Sequence, residues 1–264
     1  MCKRKIFTVN LYDYLSLDKA KVCKDYQDHN KDVINMYNNV IAAKDEDRWE
    51  YVPVDIDDEL DNFCKDSSLS LLEDMPVKYK YQMISDLVRY KYMVENPDSI
   101  YIDTDLCIFG HLGMEVLNAM SKSARKSETD LLAGEMNKNR LFPCNWLMIG
   151  SGKPDNIFID MYNLLKDRML LSSYEEYKFT EGKWDNKMES YIWEKLWGYA
   201  IPRELKTSKF SLIPYEYFQG CEWNKDWKDD SIMKKFRLVG CHFFGFGEGG
   251  RPNWTEFVNY HNLV

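Results

Sequence analysis

The feature that most constrains this chain is the stretch Ile84–Gly110, in which a helical pattern gives way to a proline-containing turn and a short apolar run. The apolar run, Ile100–Ile102, has the residues of a buried strand and is followed by an Asp-Thr-Asp sequence. Residues i and i+2 of an extended chain lie on the same side. The pattern therefore predicts a helix, a turn and a strand that presents the carboxylates of Asp103 and Asp105 together at its end.

Two carboxylates at one strand end favour a bound cation. Hard divalent ions take oxygen ligands and commonly bridge protein carboxylates to substrate phosphates, so we expect Mn²⁺ or Mg²⁺ as the cofactor. The alternative is that Asp103, Thr104 and Asp105 form only a solvated turn, because Asp and Thr are common turn residues. For an isolated Asp-x-Asp that alternative is the more frequent outcome, and the surrounding residues decide between the two.

Those surrounding residues resemble the sugar-binding region of glycosyltransferases that carry an Asp-x-Asp motif. The segment Ser85–Tyr90, a helix and then Ile100–Asp105 are similar to glycosyltransferase family 32 and its relatives, which include yeast mannosyltransferases and the glucosyltransferase domains of large clostridial toxins. Family members usually have two glycines before the strand, whereas this chain has Asp98 and Ser99. The resemblance implies an α/β fold of the GT-A type, a Rossmann-like nucleotide-binding fold with a mixed central sheet flanked by helices. It also implies a nucleotide-sugar donor and a divalent metal.

Carried over by position, the resemblance implies that Asp86 and Arg89 hold hydroxyl groups of the donor sugar. Asp103 and Asp105 would be metal ligands and the residues nearest the chemistry, with Asp103 and Thr104 also contacting the donor. Positions i and i+3 share a helix face, so Asp86 and Arg89 can present an acceptor and a forked donor side by side. The alternative for these two residues is a surface ion pair worth about a few tenths of a kcal/mol.

Composition supports a folded protein and excludes some partners. The 264 residues are 45% hydrophobic and 15% aromatic, enough for a packed core, and we expect a single domain over residues 1–264. The net charge of -8 argues against a nucleic-acid partner, whose phosphates need a basic surface. No apolar run has the length of a signal peptide or a transmembrane helix. Seven cysteines without Cys-x-x-Cys spacing favour reduced thiols and a cytoplasmic location.

Two other strands contribute candidate site residues. Lys5–Val9 is predicted to be the first strand, and its end lies where an α/β fold binds ligands. The family resemblance makes Thr8, Val9 and Asn10 candidates for contacts with the nucleotide base, although such residues more often pack or cap. A later apolar strand begins near Asn145, which is a candidate for the sugar or acceptor site. An amide that satisfies backbone groups at the strand entry is an equally good interpretation of Asn145.

Periodicity and turn residues give the remaining elements. The range Asp18–Ala43 indicates one or two helices with a break near His29 and Asn30. Further strands and helices are predicted at Trp49–Asp55, Met114–Ser123, Leu131–Glu135, Cys144–Gly150, Asp155–Leu171 and Phe210–Ile213.

The second informative stretch is Leu238–Trp254, in which an apolar strand delivers His242 to a loop with four glycines. It resembles the C-terminal His-x-x-Gly and Lys-Pro-Trp signature of glycogenin-like family 8, although the loop is longer and Asn253 intervenes. The resemblance implies that His242 completes the metal site and that Gly245 and Arg251, which replaces the Lys, contact the diphosphate. Imidazole, glycine N–H groups and a guanidinium suit those roles. A lone strand-end histidine is otherwise more often structural.

Both resemblances imply a metal-dependent glycosyltransferase that moves a hexose from a nucleotide-sugar donor, expected to be UDP-linked, to a hydroxyl of a glycan or other acceptor. Retention of the anomeric configuration is expected because both families retain it, and a role in polysaccharide biosynthesis would follow. No carboxylate stands out as a general base. One alternative is a toxin-type transferase that modifies a protein side chain. Another is a non-catalytic nucleotide-binding or carbohydrate-binding module.

Overall fold

A six-stranded mixed sheet with helices packed against it organises the protein. The computed structural model describes residues 3–10, 17–41, 47–56, 77–127, 131–137, 140–154, 157–163, 210–214, 217–218 and 239–242. Its strands are β1 (Arg4–Asn10), β2 (Trp49–Asp55), β3 (Ile100–Ile102), β4 (Leu106–Ile108), β5 (Leu131–Asn137), β6 (Arg140–Gly150), β7 (Phe210–Ile213) and β8 (Gly240–His242). Its helices are α1 (Leu17–Val40), α2 (Val77–Glu95) and α3 (Gly110–Lys126), and residues 157–163 are also helical.

The strand directions bring most of the strand ends to one side of the sheet. The order is β2-β1-β3-β6-β5-β7, and only β6 runs against its neighbours. The other five strands therefore end at the same edge, which we call the carboxyl edge and define by Asn10, Asp55, Ile102 and Asn137. Open α/β sheets bind ligands at this edge, so the topology directs the search for a site there.

Both faces of the central strands are covered, which explains their apolar sequences. Ile100 and Ile102 belong to a core cluster with residues of α1 and α3. Tyr101 lies between them in sequence, and its side chain is on the opposite face of the sheet, because side chains alternate along a strand. On that side the ring of Phe7 lies 5.2 Å from the ring of Tyr101 and 4.2 Å from the ring of Tyr92 in α2. The sheet therefore separates α2 from α1 and α3.

A small second sheet lies beside the first, and only one of its strands was predicted from the sequence: β8, the apolar strand that delivers His242. It pairs β4 with β8 in antiparallel fashion, with Leu106 opposite His242 and Ile108 opposite Gly240. The residue before β8, Val239, accepts a hydrogen bond from the Phe109 N–H at 2.9 Å. β4 is too short to show a pattern of its own, and the two partners are separated by more than 130 residues of sequence, so their pairing was not predicted.

Most predicted elements are confirmed, with one correction in the first helix. The predicted bounds of β2 and β7 coincide with those observed, and α3 begins at Gly110 rather than at Met114. The predicted break near His29 and Asn30 is wrong, since α1 is continuous. These polar residues do not interrupt the helix because their side chains form hydrogen bonds with the backbone of β4.

The fold is α/β with a mixed sheet flanked by helices, and its assignment to the GT-A type remains a prediction. Among the helices that the structure describes, none has the length and apolarity to cross a membrane.

Gly150, at the end of β6, lies against the turn that leads into β3. A Cβ at this position would lie 2.0 Å from the carbonyl oxygen of Pro97, which is backbone and has no alternative rotamer. We expect Gly150→Ala to lower the free energy of unfolding by at least the upper end of the usual overpacking range of about 1–3 kcal/mol. Urea denaturation measures this loss.

Gly110→Ala is the matched control, because its φ of 53° is left-handed but a Cβ there would meet nothing within 4 Å. Left-handed strain alone costs about 1–2 kcal/mol. A loss for Gly150→Ala equal to or smaller than that for Gly110→Ala would contradict the close approach.

Candidate functional site

The carboxyl edge collects most of the predicted site residues that the structure describes. Thr8, Val9 and Asn10 end β1, and β3 leads directly into Asp103. The Asp103 N–H donates to the carbonyl oxygen of Trp146 at 2.9 Å. Because β6 runs the opposite way, the residue before Trp146, which is the predicted Asn145, lies at this same edge. Gly245 and Arg251 lie outside the described residues.

The Asp-Thr-Asp segment is a turn and not the end of a strand. β3 ends at Ile102, and the Leu106 N–H donates to the carbonyl oxygen of Asp103 at 3.0 Å. Thr104 and Asp105 therefore occupy the central positions of a β-turn. The predicted alternation of Asp103 and Asp105 along an extended chain is wrong, because this hydrogen bond reverses the chain. Both aspartates nevertheless lie at the carboxyl edge and are partly exposed to solvent.

Below the turn, the guanidinium of Arg89 joins helix α2 to strand β3. Its Nε lies 3.3 Å from Asp86 Oδ1, and its Nη1 lies 3.4 Å from Asp103 Oδ1. Its Nη2 donates to the hydroxyl of Ser85 at 3.2 Å, and its central carbon lies 4.5 Å from the centre of the Tyr101 ring. The Asp86 and Arg89 side chains are about nine-tenths buried, so the predicted pair is a buried ion pair rather than a surface one.

Tyr101 belongs to the candidate site and was not predicted to do so from the sequence. Its hydroxyl donates a hydrogen bond to Asp103 Oδ1, the same oxygen that faces Arg89. From the sequence, Tyr101 was predicted only as part of an apolar strand. The signal that could have found it is spacing, because residues i and i+2 of a strand share a side and Tyr101 stands two residues before Asp103.

The charges of this network are set by burial and by contacts among its members. Burial lowers the pKa of Arg89, but the Tyr101 phenol and the carboxylates of Asp86 and Asp103 more than offset it and raise the pKa above its ordinary value. Burial raises the pKa of Tyr101 well above its ordinary value, against the opposing effect of Arg89, and contact with Asp103 raises it further. At neutral pH Arg89 is therefore a cation and Tyr101 a neutral hydrogen-bond donor.

Asp103 is engaged by other groups of the candidate site. It shares its negative charge with Arg89 and accepts from Tyr101, which lessens its capacity to bind a divalent cation. The backbone of His242 lies opposite Leu106, the residue that follows Asp105. The side chain of His242 is outside the described part of the structure. Within the described part, no group of three His, Cys, Asp or Glu residues could hold a metal ion.

The end of β1 offers polar atoms to a ligand. Thr8 Oγ1 and Asn10 Oδ1 are buried and have no hydrogen-bond partner among the described residues. A buried polar atom without a partner costs about 1–3 kcal/mol. The side chain of Val9 is fully buried, so Val9 contributes to the core. At this end of β1, Thr8 and Asn10 therefore have hydrogen-bonding capacity to offer a ligand.

Two thiols in the described part of the structure behave as apolar residues. Cys23 and Cys107 are buried and form no disulfide bond. Burial, with a smaller contribution from the charge of Asp105, raises the pKa of Cys107 well above its ordinary value. A neutral, enclosed thiol is a poor metal ligand and nucleophile, so Cys107 is not a candidate for either role.

Comparison with known proteins gives little further information. No protein-family model matches this sequence, and no curated protein matches it. One solved structure that the chain resembles is a glycosyltransferase involved in the glycosylation of the major capsid of PBCV-1. The TM-score is 0.43 and the sequence identity 6%, over 98% of this chain and 100% of that chain. A likeness of this size carries no weight for function, which must be inferred from the residues at the carboxyl edge.

The contacts of Arg89 predict that the stability of the protein becomes dependent on pH when the Arg89 guanidinium is removed. In Arg89→Leu the Asp86 carboxylate stays buried without the guanidinium that faces it, and removing one partner of a buried ion pair costs about 3–5 kcal/mol. The folded variant then binds a proton more readily than the unfolded chain, so its stability falls as pH rises. We expect the loss relative to wild type in urea denaturation to be larger at pH 8 than at pH 5.

The control is the double variant Asp86→Asn with Arg89→Leu, which removes the buried carboxylate of α2 as well. We expect it to recover part of the stability at pH 8. A loss for Arg89→Leu that is the same at both pH values would show that its ion pairs do not set the stability of α2.

Proposed function

We propose that this protein is a metal-dependent glycosyltransferase that moves a sugar from a UDP-linked donor to an acceptor hydroxyl with retention of configuration. The observation that carries the proposal is the buried contact of Arg89 with both Asp86 and Asp103 at the carboxyl edge. The sequence motif alone left open whether these residues were unrelated surface groups. Their convergence beside the end of β1 gives the motif a structural context that suits a donor site.

In this proposal Arg89 and Tyr101 fix the orientation of Asp103. Two donors on one carboxylate oxygen restrict the rotation of the side chain, so Asp103 can accept a hydroxyl hydrogen bond from the donor without first becoming ordered. Asp86 is held in the same way by Arg89. A polyhydroxy ligand offers several O–H donors, which match an arrangement of fixed acceptors. These two carboxylates are therefore proposed to bind the sugar or ribose hydroxyls.

Asp105 and His242 are proposed to hold Mn²⁺ or Mg²⁺. A divalent cation bound at this position would neutralise the charge that develops on the departing nucleoside diphosphate. Gly245 and Arg251 are proposed to bind the diphosphate through backbone N–H groups and a guanidinium. Thr8 and Asn10 are proposed to contact the nucleotide through polar atoms that no described residue satisfies. Asn145 and Thr104 are proposed to line the donor-sugar side, and Val9 to support the pocket from the core.

The test is turnover of a panel of UDP-linked and GDP-linked hexoses with Mn²⁺ or with EDTA. We expect one donor to release its nucleoside diphosphate only with the metal. We expect Asp105→Ala to lower that rate by at least about 100-fold, which is the effect of removing a group that stabilises developing charge. Asp160→Ala is the control, because Asp160 is exposed on the helical segment 157–163.

An unchanged rate in Asp105→Ala would refute the role given to this residue. Mn²⁺-dependent binding of a nucleotide sugar, seen as a thermal shift without release of free sugar or nucleotide, would instead indicate a non-catalytic binding module. A ligand that binds only the folded state raises its stability by mass action, so the thermal shift detects binding without turnover.

His242 has a separate test because only its backbone position supports its role. We expect His242→Ala to raise the Mn²⁺ concentration for half-maximal activity by at least about tenfold. Mutating a residue that only contacts a metal ligand already lowers metal affinity by about 10-fold to 100-fold, and losing a ligand itself should cost at least as much. Activity titrated with Mn²⁺ measures this shift. His111→Ala is the control, since His111 contacts Glu115 and the ring of Tyr37. A His242→Ala titration identical to wild type would remove His242 from the metal site.

A further inference from the structure

The side chain of Asn30, a buried residue of α1, forms the hydrogen bonds with the β4 backbone that a neighbouring strand would otherwise form. The Asn30 Nδ2 donates to the carbonyl oxygen of Leu106 at 2.8 Å, and the Ile108 N–H donates to Asn30 Oδ1 at 2.9 Å. The side chain is 1% exposed, so these bonds form away from water. One side-chain amide thus satisfies a backbone donor and a backbone acceptor on the edge of β4 that does not face β8.

His29 adds a third bond to the same strand. Its Nε2 lies 2.9 Å from the carbonyl oxygen of Ile108, and a carbonyl can only accept, so Nε2 carries the proton. Burial lowers the pKa of His29, although the bond to Ile108 opposes this shift, so the ring is neutral at physiological pH. Asn30 and His29 together hold β4 against α1.

The other edge of β4 pairs with β8, so this three-residue strand lies between α1 and the strand that carries His242. A two-stranded ladder of this length is marginally stable by itself. β4 also begins at the residue after Asp105, where the Asp103–Leu106 turn closes. The position of this turn and the position of β8 therefore both depend on how firmly β4 is held.

We propose that Asn30 is a positioning residue, which clamps β4 so that Asp105 and His242 are held together for a metal-bound nucleoside diphosphate. The inference rests on the proposed function, because it assigns Asn30 a role in that same site. Asn30 does not touch the ligand. It acts through the backbone of Leu106 and Ile108, and its removal leaves two buried backbone groups without partners.

The same helix contains a matched control two turns further on. Asn38 Nδ2 donates to the carbonyl oxygen of Trp49 at 2.7 Å, and the Trp49 N–H donates to Asn38 Oδ1 at 3.0 Å. The two asparagines therefore make the same kind of bridge from α1 to a strand. Trp49 begins β2, at the edge of the sheet opposite the carboxyl edge. Asn38→Ala thus removes an equivalent bridge away from the candidate site.

The experiment compares Asn30→Ala and Asn38→Ala in the full chain, with UDP and Mn²⁺ as the probe. Calorimetric titration gives the Kd of UDP at saturating Mn²⁺ and the dependence of that Kd on Mn²⁺ concentration. Thermal unfolding without ligand gives the loss of stability. We expect both variants to lose stability, and Asn30→Ala alone to weaken Mn²⁺-dependent UDP binding by about tenfold, a fold-change equivalent to about 1.4 kcal/mol.

Two other outcomes are distinguishable. If wild type binds Mn²⁺ and UDP but both variants bind like wild type, or weaken equally, Asn30 is only structural and the inference fails while the proposed function stands. If wild type shows no Mn²⁺-dependent binding of UDP, the proposed function and the inference fail together. Should Asn30→Ala not fold, Asn30→Asp keeps the acceptor for the Ile108 N–H and loses the donor to Leu106. The same weakening is then expected, and binding like wild type refutes the inference.

Discussion

The structure around the candidate site depends on the burial of one cation, the guanidinium of Arg89. Burying a charge costs free energy unless neighbouring groups replace the interactions lost with water. Asp86 does so from the same helix, and Tyr101 in β3 and Asp103 just after it do so from the sheet. Because no single element supplies all the partners, the charge is stabilised only when α2 is docked on the sheet. The packing of α2 on the sheet and the orientation of the Asp103 carboxylate therefore depend on each other.

The sequence predicted most of the main sheet because its strands carry their own signals. β1 and β3 are apolar runs followed by polar residues, and both faces of such strands are buried in an α/β fold. The same signals predicted that Asn10 and Asp103 would each follow an apolar strand, and the parallel pairing of β1 with β3 brings these strand ends to one edge. What the sequence could not give was the conformation after Ile102. Asp and Thr are common both at strand ends and in turns. The hydrogen bond from the Leu106 N–H to the carbonyl oxygen of Asp103 shows that this segment forms a turn.

The contacts that the sequence failed to predict are those between distant residues. β4 and β8 are three residues each and have no periodicity, so their pairing depends on tertiary context. The predicted break in α1 has a related cause. His29 and Asn30 have weak helix propensity, and a local pattern suggests an interruption. Their side chains instead bond to β4, and this tertiary gain overrides the local preference. Polar residues in the middle of a helix thus marked a contact surface rather than a boundary.

The reversed direction of β6 has a consequence for how this architecture can diversify. Because β6 alone runs against its neighbours, β5 ends and β6 begins at the carboxyl edge, where Asn137 pairs with Arg140. The ladder of β5 and β6 already contains register shifts after Ala133 and after Glu135. Insertions between Asn137 and Arg140 would change this edge near Asn145 while the pairing of β3 with β6, and with it the hydrogen bond from Asp103 to Trp146, stays unchanged. Under the proposed function, acceptor preference would then vary separately from the residues proposed to hold the donor.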